Sequence, residues 1–531
     1  MTSPQCAAAI VAQLLAQGIG DVVLAPGSRS APLALALADA ETAGRVRLHV
    51  RYDERSAGFL ALGLAKGGSA PVAVVTTSGT AVGNLLPAVM EAHHSDVPLI
   101  VMSADRPAAQ VGFGSNQTTD QSRLFEPFVR WSARVSSTAP AASWTAQAAR
   151  ACLLAAGVGS RHPGPVHLNV ELAEPLVGEA SQPPVRAVHQ SPPGAAEALA
   201  VPLGPRTMLI CGDASPEVGA AVTALSTAAR LPLVAEPSSN ARAGSLRTGR
   251  LLLDGPLAEA IERVVVFGHP TLSRPVNRLL ARSDVELIVV SPTADWIDPG
   301  WRAARVAPAV SLAPDDGRWA AQWASADGRV SAALDALLAT QPVLTGPAVA
   351  AAVVAYVADG VLVLGNSQPI RDADLAALSS QRVYANRGLA GIDGAVSTAV
   401  GIALASEVPA SLLCGDLTFL HDANGLGLGL GERRPRLRIV VADDHGGSIF
   451  ATLEYGDARF AGSFERVFAT PSEVDPVALA RSHGLPACRV TTAAELTAAL
   501  AEPITGFEVI VASIDRASRR RLDQAINALA R

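Results

Sequence analysis

Two acidic turns carry the most specific chemical signal in the sequence. The apolar run Leu412, Leu413 and Cys414 stops at Gly415-Asp416, and a helical segment through Leu426 and Leu430 follows. A second apolar run, Leu437 to Ala442, then ends in Asp443-Asp444-His445-Gly446-Gly447. The pattern predicts a βαβ unit with a carboxylate in each loop at the carboxyl ends of two parallel strands, where doubly wound sheets bind their ligands. Asp416 and Asp444 lie 28 residues apart, and a right-handed crossover sets their turns side by side. A carboxylate pair facing a cleft suits Mg2+, an octahedral ion that takes oxygen ligands and shares them with phosphates. Glycines 446 and 447 would allow close backbone approach. Asp also serves as a turn former or N-cap; the pair at this spacing is what favours a metal and diphosphate site.

Glu54 stands at a strand-to-helix turn ahead of the apolar stretch Ala57-Gly58-Phe59-Leu60-Ala61-Leu62. One reading is an acid that complements the helix macrodipole. The other is a desolvated carboxyl that tends to keep its proton until a basic ligand nitrogen takes it. Arg29, Arg106, Arg371 and Arg387 lie in loops at strand ends, with Arg274 in the middle of the chain. Any one of them reads as an ordinary surface arginine. Their recurrence at strand ends in both halves favours recognition of several carboxylates, which guanidinium binds bidentately. His93 and His94 close a helix and complement its C-terminus, and His445 is assigned no role. Ile392 and Phe450 suit a core position or packing on a planar ring.

The elements that must position these residues repeat. Strands are expected at Asp21 to Ala25, Arg47 to Tyr52, Val72 to Thr76 and Leu99 to Ser103, each followed by a turn and a helix. The order returns with Val361 to Leu364, a helix near Ala376, a strand at Val383 to Ala385, a helix from Gly391 to Ala405, and the two acidic turns. Gly27 and Gly365 are offset by 338, Gly79 and Gly415 by 336, so one fold is used twice. Ser181 to Pro205, rich in Pro and Ala, reads as a linker. Beyond it, strands at Met208 to Cys211, Leu231 to Ala235, Arg263 to Phe267 and Val285 to Val290 make another α/β unit, and a boundary falls near Leu338 to Gly346. A strand at Val509 to Ile514 and a helix at Arg516 to Leu529 close the chain. The expected class is α/β: three doubly wound parallel-sheet domains, 1–182, 183–340 and 341–531, the first and third of the same topology.

Bulk properties agree with that count, since 531 residues exceed one core and 49% are apolar. A net charge of -6 provides no basic face for nucleic acid. Five scattered cysteines without CxxC spacing point to a reducing compartment. With no signal-like N-terminus and no long apolar run, a soluble cytoplasmic protein without membrane contact is expected. Lys66 is the only lysine, and Gly67 after it rules out a GxxxxGK[ST] phosphate loop. A pyridoxal enzyme would have to use this same residue, which reads instead as a solvated lysine at a helix C-terminus.

Several stretches together resemble thiamine-diphosphate enzymes, whose pyrimidine and diphosphate domains share a fold and flank a central domain. More narrowly, "APGSRSAPLALAL", "YDERSAGFLALGLAKG", "TTSGTAVGNLLPAVMEA", "SADRP", "NQT", "NRGLAGIDGAVSTAVGIALA", "GDLTFLHDANGL" and "GGSIF" are similar to 2-succinyl-5-enolpyruvyl-6-hydroxy-3-cyclohexene-1-carboxylate synthases of menaquinone synthesis. The match covers both outer domains; the central one matches weakly, around "GHPTLSRP". The resemblance implies a transferase that decarboxylates 2-oxoglutarate and adds the resulting succinyl-semialdehyde carbanion to isochorismate. It implies that Glu54 bonds N1′ of the cofactor's aminopyrimidine, and that Gly415, Asp416 and Leu417 meet the diphosphate. Asp416, Asp444 and the Gly446 carbonyl would hold Mg2+, or Mn2+ in its place. Ile392 would support the bent cofactor and Phe450 would stack on its pyrimidine. Ser28, Arg29, Arg106, Asn116, Gln117, Arg274, Ser367, Arg371 and Arg387 match family substrate positions. Two positions depart: Asp444 stands where many relatives carry Asn, and Ser273 where some carry Lys. The family builds each site between two chains, so a homodimer or homotetramer is implied. The rivals are another thiamine-diphosphate enzyme, such as a simple 2-oxoacid decarboxylase or an acetolactate synthase, and a catalytically silent nucleotide- or flavin-binding protein.

Overall fold

Apolar runs near the start of the chain form six strands: β1 Asp21–Leu24, β2 Arg47–Val50, β3 Val72–Thr76, β4 Leu99–Asp105, β5 Trp131–Ser136 and β6 Val166–Glu171. The computed structural model describes residues 2–68, 70–180, 185–194, 196–357, 360–377 and 382–530. All pairings in the first sheet are parallel, in the order β2-β1-β3-β4-β6-β5. Strands β3 and β4 are buried along their whole length, as a sheet covered by helices on both faces requires.

The middle of the chain supplies β7 Leu199–Val201, β8 Thr207–Cys211, β9 Leu233–Ala235, β10 Arg263–Phe267, β11 Glu286–Val290, β12 Ala303–Ala307 and β13 Val310–Leu312. Five of them form a parallel sheet, β12-β11-β10-β8-β9, and β13 pairs with β7. The expected linker 181–205 is therefore not structureless: its end contributes β7, while 181–184 and 195 fall outside the described residues. The last part forms β14 Val361–Leu364, β15 Arg382–Ala385, β16 Ala410–Gly415, β17 Leu437–Asp443, β18 Ala487–Val490 and β19 Phe507–Ser513. Their order, β15-β14-β16-β17-β19-β18, reproduces that of the first sheet strand for strand. The fold is α/β with doubly wound parallel sheets, and the repeat read from the glycine offsets is a repeat of topology. The order reverses between β1 and β3, and again between β14 and β16, which opens a ligand crevice at the carboxyl edge of each outer sheet. Gly27 and Gly365 stand at those two points. A Cβ on Gly27 would lie 2.3 Å from the Thr77 side chain, and one on Gly365 2.8 Å from that of Cys414.

Three helix expectations shift. The helix placed near Ala376 is Gln368–Ala373, and the one placed from Gly391 begins at Ala395, because Gly394 adopts a left-handed φ of 65° that ends the preceding turn. The segment expected to be helical through Leu430 is a short helix, Asp416–His421, followed by a 3-10 turn at Ala423–Leu426. Leu430 itself is fully exposed, next to glycines 429 and 431.

The chain forms two compact units: one of Met1–Gly194, Asp393–Glu407 and Asp422–Pro435, the other of Ala195–Ile392, Val408–His421 and Arg436–Arg531. In the first unit, helix Glu54–Gly68 packs on helix Ala395–Ala405 through small residues on both sides. A Cβ on Gly63 would meet the Thr398 carbonyl oxygen at 2.1 Å, and one on Gly401 the Leu60 carbonyl oxygen at 2.3 Å. Gly63→Ala adds about 1 kcal/mol of helix propensity, but the clash is with backbone, and overpacking costs about 1–3 kcal/mol. A lowered thermal midpoint is expected; an unchanged or raised one would mean that the helices do not approach this closely. The second unit has its cores around β8, β10 and β11, with Trp319 and Trp323 in edge contact, and around β14, β16 and β17. Among the described residues, no helix is long and apolar enough to cross a membrane.

Candidate active site

At the carboxyl edge of the third sheet, β16 ends where Asp416 opens its short helix, and β17 ends one residue before Asp444. Both carboxylates are buried. Asp416 Oδ2 accepts the Gly446 N–H at 2.8 Å, so the two turns lie side by side, as the crossover argument requires. Gly446 has φ 134°, and a Cβ there would stand 2.4 Å from the Ala469 carbonyl oxygen; only glycine fits. Burial pushes the Asp416 carboxyl up to about 6, with the Asp443 charge adding to it. Asp444 is pushed up to about 7 by burial and then by Asp416. Asp444 Oδ1 is buried with no hydrogen-bond partner. Adjacent buried carboxylates with an unmet oxygen fit a divalent cation, whose charge would remove both penalties. Among the described residues no group of three or more His, Cys, Asp or Glu makes a closed metal site. A cation held by two carboxylates would take its other ligands from water, backbone and phosphate oxygens, as Mg2+ does. Gly415 and Leu417 flank Asp416, half-buried, and Ile392 is half-buried. Phe450 follows the glycine pair and leans on Phe468 at 5.9 Å.

Beside these turns, Ser367 caps helix Gln368–Ala373 at φ 71°, a strained conformation for a non-glycine residue. The helix is anchored by Asp372, which takes two hydrogen bonds from Arg519, at 3.0 and 2.6 Å. Arg371 Nη1 donates to the Ser367 carbonyl at 2.6 Å. Arg387, almost fully buried, donates from Nη1 to Asn366 Oδ1 and from Nη2 to Thr271 Oγ1, both at 2.7 Å. Burial and then the nearby Arg387 charge lower the Arg371 pKa, so the two guanidiniums repel each other. Arg274, by contrast, is mostly exposed and paired with Glu454 at 2.9 Å.

The first unit gathers a second arginine pair. Arg106, largely buried at the end of β4, donates to Ser78 Oγ at 2.6 Å and to the Gln117 carbonyl at 3.0 Å. Arg29 donates to the Leu172 carbonyl at 2.9 Å and lies 3.5 Å from Glu174. Burial and then the Arg29 charge lower the Arg106 pKa, so these two guanidiniums repel each other. Gln117 Nε2 returns a bond to the Ser78 carbonyl at 2.9 Å, while Ser28 and Asn116 stand exposed. Behind them Gln121, fully buried, accepts the Gly79 N–H at 3.1 Å and donates to Asn169 at 2.8 Å, which ties the Ser78-Gly79 turn to the sheet.

Glu54 heads helix Glu54–Gly68 and is half-buried, less desolvated than the apolar helix suggested. Its turn is braced from within the same unit. Asp53 accepts from Asn424 at 2.7 Å, and Glu432 takes the Val50 N–H at 3.1 Å and pairs with Arg51 at 3.0 Å. Asp422, fully buried, accepts the Ser397 N–H at 2.7 Å, satisfying an N-terminal donor of the partner helix. Sequence reasoning missed Asp422, Gln121, Thr271 and Glu236. Asp422 and Thr271 had a signal, their places in "GDLTFLHDANGL" and in the weakly matching "GHPTLSRP".

Comparison with known proteins agrees with this geometry. The family model for "Thiamine pyrophosphate enzyme, N-terminal TPP binding domain" matches residues 5–124, and that for "Thiamine pyrophosphate enzyme, C-terminal TPP binding domain" matches residues 365–512. The chain is 50% identical to the 2-succinyl-5-enolpyruvyl-6-hydroxy-3-cyclohexene-1-carboxylate synthase of Kineococcus radiotolerans, over 98% of each chain. It is 48% identical to the enzyme of that name from a Nocardioides species, over 98% of this chain and 96% of the relative. With the one from Mycobacterium avium it shares 44% identity over 98% of each.

Proposed function

The chain belongs to the 2-succinyl-5-enolpyruvyl-6-hydroxy-3-cyclohexene-1-carboxylate synthase family of thiamine-diphosphate enzymes, and from that premise we propose how its own residues carry out the reaction. The enzyme decarboxylates 2-oxoglutarate and joins the remaining four-carbon unit to isochorismate by conjugate addition, a transferase step of menaquinone biosynthesis. Thiamine diphosphate, when bound, supplies a thiazolium ring that accepts the electron pair released with CO2. Glu54 holds a proton at N1′ of the pyrimidine. Asp416, Asp444 and the Gly446 carbonyl would hold Mg2+, or Mn2+, and Gly415 and Leu417 would line the diphosphate site. Ile392 would support the cofactor and Phe450 would pack on its pyrimidine.

The observation that carries the substrate reading is the recurrence of arginines just beyond strand ends in both repeated sheets, Arg29 and Arg106 after β1 and β4, Arg371 and Arg387 after β14 and β15. Both substrates are dicarboxylates, and buried guanidiniums crowded by like charge gain most from a carboxylate. Ser28, Asn116, Gln117, Ser367 and Arg274 complete the substrate shell. The domain bounds 1–182, 183–340 and 341–531, a homodimer or homotetramer, and a cytoplasmic location belong to the same proposal. It is supported by the repeated topology, the family arrangement and the scattered cysteines. The test follows 2-oxoglutarate consumption with and without isochorismate. Consumption and CO2 release that depend on isochorismate are expected; equal turnover without it would identify a plain decarboxylase instead.

A further inference from the structure

The two matched family models leave the middle of the chain uncovered, yet the middle sheet reaches into the arginine cluster. We infer that Glu236 and Thr271, on loops at the carboxyl ends of β9 and β10, are positioning residues that fix the Arg387 guanidinium for a substrate carboxylate. The inference rests on the reading of Arg387 as a substrate contact.

The loop after β10 has little freedom. Gly268 takes a left-handed φ of 64°, and His269 bridges Asp213 through two backbone hydrogen bonds of 3.0 and 3.2 Å. A Cβ on Gly212 would lie 2.0 Å from the Pro270 nitrogen. Glu236 follows β9 directly, and its Oε1 takes the Leu272 N–H at 2.7 Å in a fully buried setting. That bond sets the orientation of Thr271, whose Oγ1 accepts from Arg387 Nη2 at 2.7 Å. On its other side Arg387 Nη1 meets Asn366 Oδ1, and Asn366 Nδ2 donates to the Asn386 and Gly391 carbonyls at 2.7 and 2.8 Å. The amide orientation of Asn366 is thereby fixed, with its oxygen toward the arginine. Two of the five guanidinium donors are committed to Asn366 and Thr271, and Nε is buried without a partner. The guanidinium plane is held at both ends, with donors left over.

A buried carboxylate is an expensive way to hold one N–H. Here the Arg387 charge nearby reduces that cost, acting against the burial that pushes the Glu236 carboxyl up to about 7. The same region is tied to the third sheet at several further points. Asn240 takes the Val383 N–H at 2.8 Å and donates to the Val383 carbonyl at 3.0 Å. Arg242 reaches the carbonyls of Asp374 and Ala376, and Arg247 that of Leu375. Arg387 is thus held by a rigid frame, as a preorganised binding group requires.

Four variants test this in the holoenzyme, with Arg387→Lys as the reference. Thr271→Val keeps the shape and removes the acceptor, and Glu236→Met removes the other. Each is expected to raise KM about fivefold to tenfold for whichever dicarboxylate Arg387→Lys weakens, with KM for the other and thiamine-diphosphate affinity unchanged. Thr271→Ser and Glu236→Gln should restore KM to within about threefold. A purely structural role would lower the thermal midpoint and move both KM values together. If Arg387→Lys raises one KM and Thr271→Val leaves it unchanged, the positioning role is overturned and the substrate reading stands. If Arg387→Lys alters neither KM, both fall. Should Glu236→Met fail to fold, the Thr271 pair decides alone.

Discussion

Glu54→Gln is expected to reduce turnover by roughly 10²–10⁴-fold while leaving the fold and the thermal midpoint nearly unchanged. Glutamine keeps the shape and a hydrogen-bonding oxygen but cannot hold the carboxyl proton. The expectation separates the two meanings of an acid at a helix start. As a macrodipole partner Glu54 contributes about 0.3–1 kcal/mol, which would appear as a small loss of stability with no change in rate. As the group that handles a proton at the pyrimidine it affects the barrier by about 2.7–5.5 kcal/mol. The bracing by Asn424 and Glu432 keeps the start of helix Glu54–Gly68 in place, so stability and catalysis are readable independently. Steady-state turnover beside a melting curve measures both. A Gln variant with undiminished turnover would remove Glu54 from the chemistry.

The parts of this molecule legible in its sequence are those where physics leaves few alternatives. Strands such as β4, β16 and β17 are covered on both faces, so they read as apolar runs ended by glycine or acid. Edge strands carry no such signal. β5, WSARVS, is mostly half-buried, and β18, ACRV, is exposed at its centre; neither run announces itself. The short strands β7, β12 and β13 were missed for the same reason. Helix starts were misplaced where a special backbone conformation set the boundary, at Ser367 with φ 71° and at Gly394 with φ 65°; at Gly394 the run of small residues continues across it. Within the site, Asp416, Asp444 and the loop arginines are legible by residue type at strand ends. Glu236 is not, and Thr271 shows only by its place in the weakly matching "GHPTLSRP". A glutamate after a three-residue strand matches no motif, and its connection to Arg387 exists only once β9, β10 and β15 are brought together.

Asp416→Ala is expected to weaken Mg2+-dependent binding of thiamine diphosphate by at least 10–100-fold, since losing even an outer-shell partner of a metal ligand costs that much. Its effect on the cofactor-free protein should be small. The variant loses the 2.8 Å bond from Gly446 N–H, a loss of about 1 kcal/mol. It also relieves the repulsion that helps push Asp444 upward, which acts in the opposite direction. The two arms therefore differ: the apo melting point stays near that of the wild type, while the rise produced by adding Mg2+ and thiamine diphosphate shrinks, because stabilisation by a ligand falls with its affinity. Asp444→Asn is the informative companion. It keeps an oxygen where Oδ1 now lacks a partner and removes one negative charge, so it should retain cofactor binding far better than Asp416→Ala. Calorimetric titration of both variants, with Mg2+ present and then chelated, measures the difference. Undiminished Mg2+-dependent affinity in Asp416→Ala would mean that the two buried carboxylates do not hold the cation, and the diphosphate would have to be anchored by other groups.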